Sequence, residues 1–275
     1  DGFINSGSAY FTVSSGFLSG GLSENLDLNT NEIATYDPEK VTNYELGLKV
    51  DAFESTLRMN TALFFTDYTD RQLTSVNVDS SGNIAPQTIN AAKSSIMGLE
   101  VETMWIPIPN FDITFNFSFS RGDIQEFDDV RLVIPGSIDG CETITLTTAS
   151  CDVDRSDEDL PRLPTQTYYL AFQYNWETSI GSIIPRLQGS YRKNVEGCFD
   201  RSSCLSGIYK QDQYDLSARL TWLSPQQHWR MSLYGNNLTG YEYIAGGTPL
   251  IDLMNTASTI YNAPKTYGLE LAFNW

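Results

Sequence analysis

Polar and apolar side chains alternate with a period of two over long runs of this chain. From Thr266 to Trp275, Tyr267, Leu269, Leu271, Phe273 and Trp275 share one face, and Thr266, Gly268, Glu270, Ala272 and Asn274 share the other. Side chains along a strand point to opposite faces in turn, so one face of this segment is apolar and the other polar. Phe111, Ile113, Phe115, Phe117 and Phe119 line up in the same way against Asp112, Thr114, Asn116, Ser118 and Ser120. Tyr168, Leu170, Phe172, Tyr174 and Trp176 oppose Tyr169, Ala171, Gln173, Asn175 and Glu177, and Tyr214, Leu216, Ala218, Leu220 and Trp222 oppose Asp215, Ser217, Arg219 and Thr221. One such run would fit the last strand of a soluble sandwich. Its recurrence, with aromatic residues on the apolar face each time, reads as strands with lipid outside and water inside. The phase is set by cost, because turning Arg219 or Arg230 to lipid is unfavourable by ~2–4 kcal/mol each near the midplane.

Marking these runs predicts about ten strands, near residues 9–17, 41–53, 56–71, 88–106, 111–124, 165–177, 183–192, 213–223, 228–236 and 266–275. Short links at Glu54-Ser55, 107–110, 179–182 and 224–227 alternate strictly with long ones at about 18–40, 72–87, 125–164, 193–212 and 237–265. A transmembrane barrel with short periplasmic turns and long extracellular loops has this spacing. The predicted fold is therefore all-β, an antiparallel up-and-down transmembrane β-barrel. Several runs exceed the roughly 9–11 residues needed to cross a bilayer, so strands should project beyond it. The polar face would turn Glu45, Lys49, Asp51, Arg58, Glu100, Glu102, Asp112, Arg219, Arg230 and Glu270 to the lumen.

Composition narrows the classes further. Of 275 residues 41% are hydrophobic, and no run approaches the roughly 20 apolar residues of a spanning helix. A net charge of −17 argues against nucleic acid, whose phosphates would be repelled. The four cysteines form two close pairs, Cys141 with Cys151 and Cys198 with Cys204, both in long links assigned to the outside. With a single histidine, His228, their spacing is no zinc pattern, and two local disulfides in an oxidising compartment are the economical reading. No leader precedes Asp1, so a mature form or a fragment is expected.

Several segments together resemble the C-terminal part of a TonB-dependent outer-membrane receptor barrel. They are Tyr10 to Gly21 with its Gly-Phe-Leu-Ser-Gly-Gly ending, Pro38-Glu39 before Val41 to Lys49, and Leu57 to Tyr68. Asn90-Ala-Ala-Lys93 through Glu102, Leu160 to Pro164, Asn236 to Tyr241 and Pro264 to Gly268 follow in the family's order. The last strand, with Gly268, Leu271, Phe273 and Trp275, is similar to the signal read by the barrel-assembly machinery. The resemblance implies a 22-stranded barrel around an N-terminal plug. On it, residues 1–275 are the C-terminal portion of the barrel, with plug, TonB box and first strands absent. The implied parent imports a scarce nutrient, foremost a ferric siderophore, by TonB-energised transport. Cobalamin and oligosaccharide stay open, whereas the lack of histidine in the outer loops weakens haem. Expected partners are outer-membrane lipid, the assembly machinery, the ligand and, through the missing N-terminal region, the TonB complex. No cofactor and no enzymatic activity are expected.

Ligand contacts in the family come from loops, upper wall and plug, which makes Arg121, Asp123, Tyr191, Arg192, Tyr209, Tyr241 and Tyr243 the candidates here, each equally open to a girdle or loop-packing role. His228 beside the Ser224-Pro225 turn invites comparison with barrel hydrolases, but nucleophilic catalysis needs a base oriented by a third group. An exposed turn histidine is the simpler reading. The carboxylates of 152–159 could hold calcium, yet Asp157 and Leu160 break the EF-hand pattern, leaving a solvated acidic loop. A passive porin-like barrel of about ten strands is the principal rival; a barrel enzyme and a secreted sandwich are the others.

Overall fold

In a computed structural model, residues 3–27, 32–78, 84–133, 141–143, 149–154, 156, 160, 162–196, 210–250 and 256–274 are described. Among them every regular element is a strand. The chain order opens with β1 (Ile4–Leu18), β2 (Gly21–Asp27), β3 (Glu32–Tyr36), β4 (Glu39–Ala52), β5 (Leu57–Val78), β6 (Ile84–Ile108) and β7 (Phe111–Val133). It continues with β8 (Glu142–Thr143), β9 (Ala149–Asp154), β10 (Gln166–Tyr174), β11 (Trp176–Thr178), β12 (Gly181–Glu196) and β13 (Lys210–Leu223). β14 (Trp229–Asn236), β15 (Ile244–Leu250), β16 (Thr256–Tyr261) and β17 (Thr266–Phe273) complete it. One antiparallel sheet runs β1-β4-β5-β6-β7-β10-β12-β13-β14-β17, so the ten alternating runs are its ten principal strands in sequence order.

The register keeps the polar and apolar sets apart. Phe11, Leu46, Leu63, Leu99 and Phe119 are successive partners across β1, β4, β5, β6 and β7. One residue away, Glu45 is paired with Thr12 and Phe64, and Glu100 with Ala62 and Ser118, on the other face. Since a slip of one residue would reverse every side chain, this agreement over many strands fixes the pairing. Large apolar side chains of the first face stay exposed, Phe11 at 66% and Leu269 at 70%, which in water would be an untenable patch and in lipid is the required surface.

Three departures from the alternation deserve a physical reason. The run expected at 165–177 breaks at Asn175 into β10 and β11, where the Asn175 N–H turns to the Asn110 carbonyl at 2.8 Å. On the loop side β5 and β7 extend well beyond 71 and 124 and β6 begins at Ile84 rather than 88, with register shifts near Asp70 and Lys93. Asp70 takes φ 56°, a left-handed conformation that a short polar side chain tolerates. Finally the long links carry hairpins of their own, β2 with β3, β8 with β9 and β15 with β16.

The face opposite the apolar one is built by rings laid on glycines. A Cβ at Gly47 would fall within the Tyr10 ring, one at Gly98 against Phe64, and one at Gly268 against Tyr234. Each ring lies flat across the neighbouring strand because that strand has no side chain there. A small apolar core forms only on the loop side, where Ile124, Phe127 and Leu160 are buried with Leu73, Ile96 and Leu163 packed on them.

Candidate functional site

The polar face is the wall a lumen would present. All ten residues expected there share it by strand register. Near the short-turn end, Glu270 accepts from Arg219 Nη2 at 2.8 Å and faces Arg230 Nη2 at 3.4 Å. The Arg219 guanidinium also lies over the Tyr234 ring, 5.3 Å from its centroid. Arg186, the direct Cα partner of Arg219, donates to Gln188 Oε1 at 3.0 Å, Gln173 Oε1 at 3.1 Å and Tyr169 Oη at 3.0 Å. On the other side of the sheet, Tyr10 Oη donates to Glu45 Oε1 at 2.6 Å and Arg58 Nε to Asp51 Oδ1 at 2.9 Å. This wall offers charge and hydrogen bonding but, among the described residues, no convergent set of metal ligands.

Of the candidate ligand contacts among the described residues, the structure turns Arg192 alone to that wall. Arg121 and Asp123 stand on the same face as Phe119, opposite Met97 and Ser95, and so point away from the lumen. Tyr191 belongs to an outward row of rings that crosses four strands and continues into the link after β14. Centroids are 5.0 Å apart for Phe117–Tyr168, 6.0 Å for Tyr168–Tyr191, 4.8 Å for Tyr191–Tyr214 and 4.8 Å for Tyr214–Tyr241, with Tyr243 a further 6.4 Å on. Their hydroxyls are held locally: Tyr191 donates to Asp212 Oδ2 at 2.8 Å, and Tyr241 to the Asp212 carbonyl at 3.2 Å. The parity of the run 183–192 carries this information, because Ile183, Pro185, Leu187 and Gly189 precede Tyr191 on one face. Tyr209, Cys198, Cys204 and Trp275 lie outside the described residues. Cys141 and Cys151 form a disulfide. Gly268 lies under Tyr234, while Leu271 and Phe273 face outward.

Two side-chain braces at the bases of long loops have no counterpart in the alternation pattern. Asn90 Nδ2 donates to the carbonyls of Asp37 at 2.9 Å and Asp70 at 2.7 Å, and its Oδ1 accepts from the Asp37 N–H at 2.6 Å. Gln72 Nε2 reaches the carbonyls of Ser19 at 3.0 Å and Asp37 at 3.1 Å, while its N–H donates to Glu39 at 2.9 Å. Together they tie the β2–β3 loop to β5 and β6. At the other end of the sheet Asn237, 3% exposed, donates to the carbonyls of Tyr241 at 3.1 Å and Ala263 at 3.0 Å. Asn262 Oδ1 accepts from the Tyr243 N–H at 2.9 Å. A spacing of 53 residues between Asp37 and Asn90 hides the first brace from any local reading.

The remaining sequence candidates are placed as follows. His228 sits at the turn between β13 and β14, its ring edge-on to Phe273 at 6.2 Å and its carbonyl accepting from the Asn274 N–H at 2.8 Å. In the acidic loop, residues 155 and 157–159 lie outside the described ones; a Ser156 N–H donates to Asp154 Oδ1 at 2.8 Å. Hydrogen bonds from Ser156, its hydroxyl first and its backbone N–H second, hold the Asp154 carboxyl below the usual carboxylate range. Three depressions of about 540, 390 and 420 Å³ are lined mainly by outward apolar residues such as Phe172, Leu187, Leu220 and Leu233, or Phe11, Leu46 and Phe65. They are grooves between protruding side chains of the outward face.

The family model described as TonB dependent receptor-like, beta-barrel, matches residues 2–238. Among solved structures, the ferric yersiniabactin uptake receptor FyuA from Yersinia pestis aligns with TM-score 0.73 and 18% identity, over 98% of this chain and 35% of that one. The ferric preacinetobactin receptor BauA from Acinetobacter baumannii aligns with TM-score 0.59 and 16% identity, over 98% and 34%. FpvA from Pseudomonas aeruginosa, in complex with a heterologous pyoverdine and iron, gives 0.60 and 13%, over 98% and 31%. The chain thus spans about a third of the length of the structures it matches. The alternation, the ten-strand meander and the family match agree: this chain belongs to the TonB-dependent receptors and forms part of a bacterial outer-membrane β-barrel.

Proposed function

We propose that this chain is the C-terminal portion of the barrel of a receptor that captures a ferric siderophore and imports it with energy from TonB. The observation that carries the reading is a wall of β1 to β17 that carries charged and hydrogen-bonding side chains on every principal strand, on a barrel whose family is TonB-dependent receptors. A polar wall accommodates a plug and a hydrated ligand, and the loop bases above it, braced by Gln72, Asn90 and Asn237, would support loops for capture. Structures of siderophore receptors from three genera share the fold, which favours a siderophore over cobalamin or oligosaccharide as cargo. On the wall, Arg192 is the candidate for ligand contact that the register supports; loop residues, Tyr209 among them, complete the set.

Iron uptake tests this reading. Cells lacking the gene should lose accumulation of 55Fe supplied on the cognate siderophore, and complemented cells should regain it only with TonB present. Uptake unaffected by loss of TonB, in a native species of mass near 30.8 kDa, would overturn it in favour of a small passive barrel.

A further inference from the structure

Two hairpins on the loop side meet at one peptide unit. The β2–β3 hairpin is closed at its root, where Gly21 pairs with Tyr36. A Cβ at Gly20 would strike the Tyr36 carbonyl oxygen and stand 2.9 Å from Asp37 C and 3.0 Å from Pro38 N, so the two legs shift together. The second hairpin is the loop-side end of β5 and β6, paired out to Val78 with Ile84. Register shifts between Tyr68 and Arg71 and between Arg71 and Gln72 precede it, after which Gln72 and Asn90 are direct Cα partners. Both side-chain amides reach the root of the first hairpin. The Asp37 carbonyl accepts from Gln72 Nε2 at 3.1 Å and from Asn90 Nδ2 at 2.9 Å, while the Asp37 N–H donates to Asn90 Oδ1 at 2.6 Å. Gln72 Nε2 also reaches the other leg, at the Ser19 carbonyl 3.0 Å away. Asn90 Nδ2 donates as well to the carbonyl of Asp70 at 2.7 Å, inside the register shift. One side chain thereby bonds segments 20 and 53 residues away.

We propose that Gln72 and Asn90 are positioning residues that join the two hairpins into one unit, so that a ligand meets a single surface rather than two independent loops. What that surface is for rests on the reading of the chain as a capturing receptor. The joint differs from the Asn237 brace, which ties a link to itself through Tyr241 and Ala263. Gln72 and Asn90 instead hold a link that belongs to other strands. The strand ladder does not supply this contact, because β2 and β3 pair with each other in a sheet of their own. Two loops ordered separately each lose conformational entropy when a ligand binds, whereas a joined pair is ordered beforehand. Coupling of this kind is reciprocal, so loosening either hairpin loosens the other.

Hydrogen–deuterium exchange, read by mass spectrometry on the protein in detergent without ligand, tests the joint from both sides. Asn90→Ala on β6 should raise exchange roughly five- to tenfold in residues 19–27 and 32–38 as well as in its own hairpin, the effect of losing the hydrogen bonds to Asp37. Asn90→Asp keeps the acceptor for the Asp37 N–H and loses both donors, so it should fall between Asn90→Ala and the wild type. From the opposite side, Gly20→Ala displaces the Asp37 peptide and should raise exchange in residues 72–78 and 84–90. Gln72→Ala added to Asn90→Ala should contribute less than it does alone, because both amides hold one peptide. Asn237→Ala is the control, with exchange rising in its own link alone. Heat-modifiable migration confirms that each variant is folded. Exchange that rises only in the hairpin carrying the substitution, in folded Asn90→Ala or in folded Gly20→Ala, overturns the proposal. Coupled exchange in a protein that fails the iron-uptake test would keep the joint and remove the capturing-receptor reading.

Discussion

Replacing Gly98 by alanine isolates the contribution of the ring-on-glycine packing. A Cβ there would stand 2.5 Å from the Phe119 carbonyl oxygen and 2.5 and 2.8 Å from Phe64 Cζ and Cε1. The ring can swing aside, but the carbonyl is part of the β6–β7 ladder and cannot move without lengthening hydrogen bonds. Overpacking of this kind costs about 1–3 kcal/mol. Alanine also restricts the unfolded chain, which offsets about 0.4–1 kcal/mol. Gly189→Ala separates the two effects, because a Cβ at that position meets only Asp215 O at 3.6 Å and Leu216 Cδ1 at 3.7 Å, ordinary contacts. The unfolded-state gain is common to both variants, so their difference reports the clash alone, about 1–3 kcal/mol. Guanidinium titration of the protein in detergent, followed by loss of heat-modifiable migration, measures it. Adding Phe64→Leu to Gly98→Ala should recover the part due to the ring and not the part due to the carbonyl. Equal midpoints for Gly98→Ala and Gly189→Ala would refute the reasoning.

Asn237→Ala removes a buried donor from the Tyr241 and Ala263 carbonyls and should destabilise that loop base by about 1–3 kcal/mol, seen as faster proteolysis between residues 238 and 265 with the barrel intact. Cys151→Ser opens a closure of ten residues and should cost the outer hairpin at most about 3 kcal/mol, seen as new protease cleavage between 141 and 151; unchanged resistance would mean that strand pairing alone holds it. The lowered pKa of Asp154 makes its turn pH-dependent. A depressed carboxylate stabilises the turn above its unfolded pKa of about 3.9 and loses that contribution as pH falls through the folded value. Wild type and Asp154→Asn should therefore differ in cleavage of this loop by an acid-active protease at pH 5 and converge near pH 2; a constant difference would contradict the linkage.

The ten strands were legible because lipid and water impose opposite demands on adjacent residues, and each run from 9–17 to 266–275 declares its own phase. The inward wall followed from the same parity, down to Arg219, Arg230 and Glu270. The hairpins in the loops were not legible, since β15 holds Gly246, Gly247 and Pro249, residues that mark turns more often than strands. Nor was the seating of Tyr10 on Gly47 or Phe64 on Gly98, which depends on register between strands rather than on either segment. The adjacent pair Phe64-Phe65 requires one ring to face inward but gives no sign of the glycine on which it rests. The loop braces at Gln72 and Asn90 act across 20 to 53 residues through backbone carbonyls, which every residue has. Ligand candidates were chosen by height along a strand without its parity, and Arg121 and Tyr191 stand on the outward face.

The row of rings from Phe117 to Tyr241 has a geometric consequence. Phe117, Tyr168, Tyr191 and Tyr214 are direct partners on successive strands, so their line runs perpendicular to the strands. Strands in such barrels tilt by about 35–45° from the membrane normal. A perpendicular line over three steps of roughly 4.8 Å therefore changes height by about 9 Å. The row is a ramp rather than a ring at one level. Its chemistry changes along the slope: Phe117 has no hydroxyl, whereas Tyr191 and Tyr241 bond to Asp212. One end suits acyl chains and the other suits headgroups, and the row thereby couples the tilt of the strands to the depth at which the barrel sits.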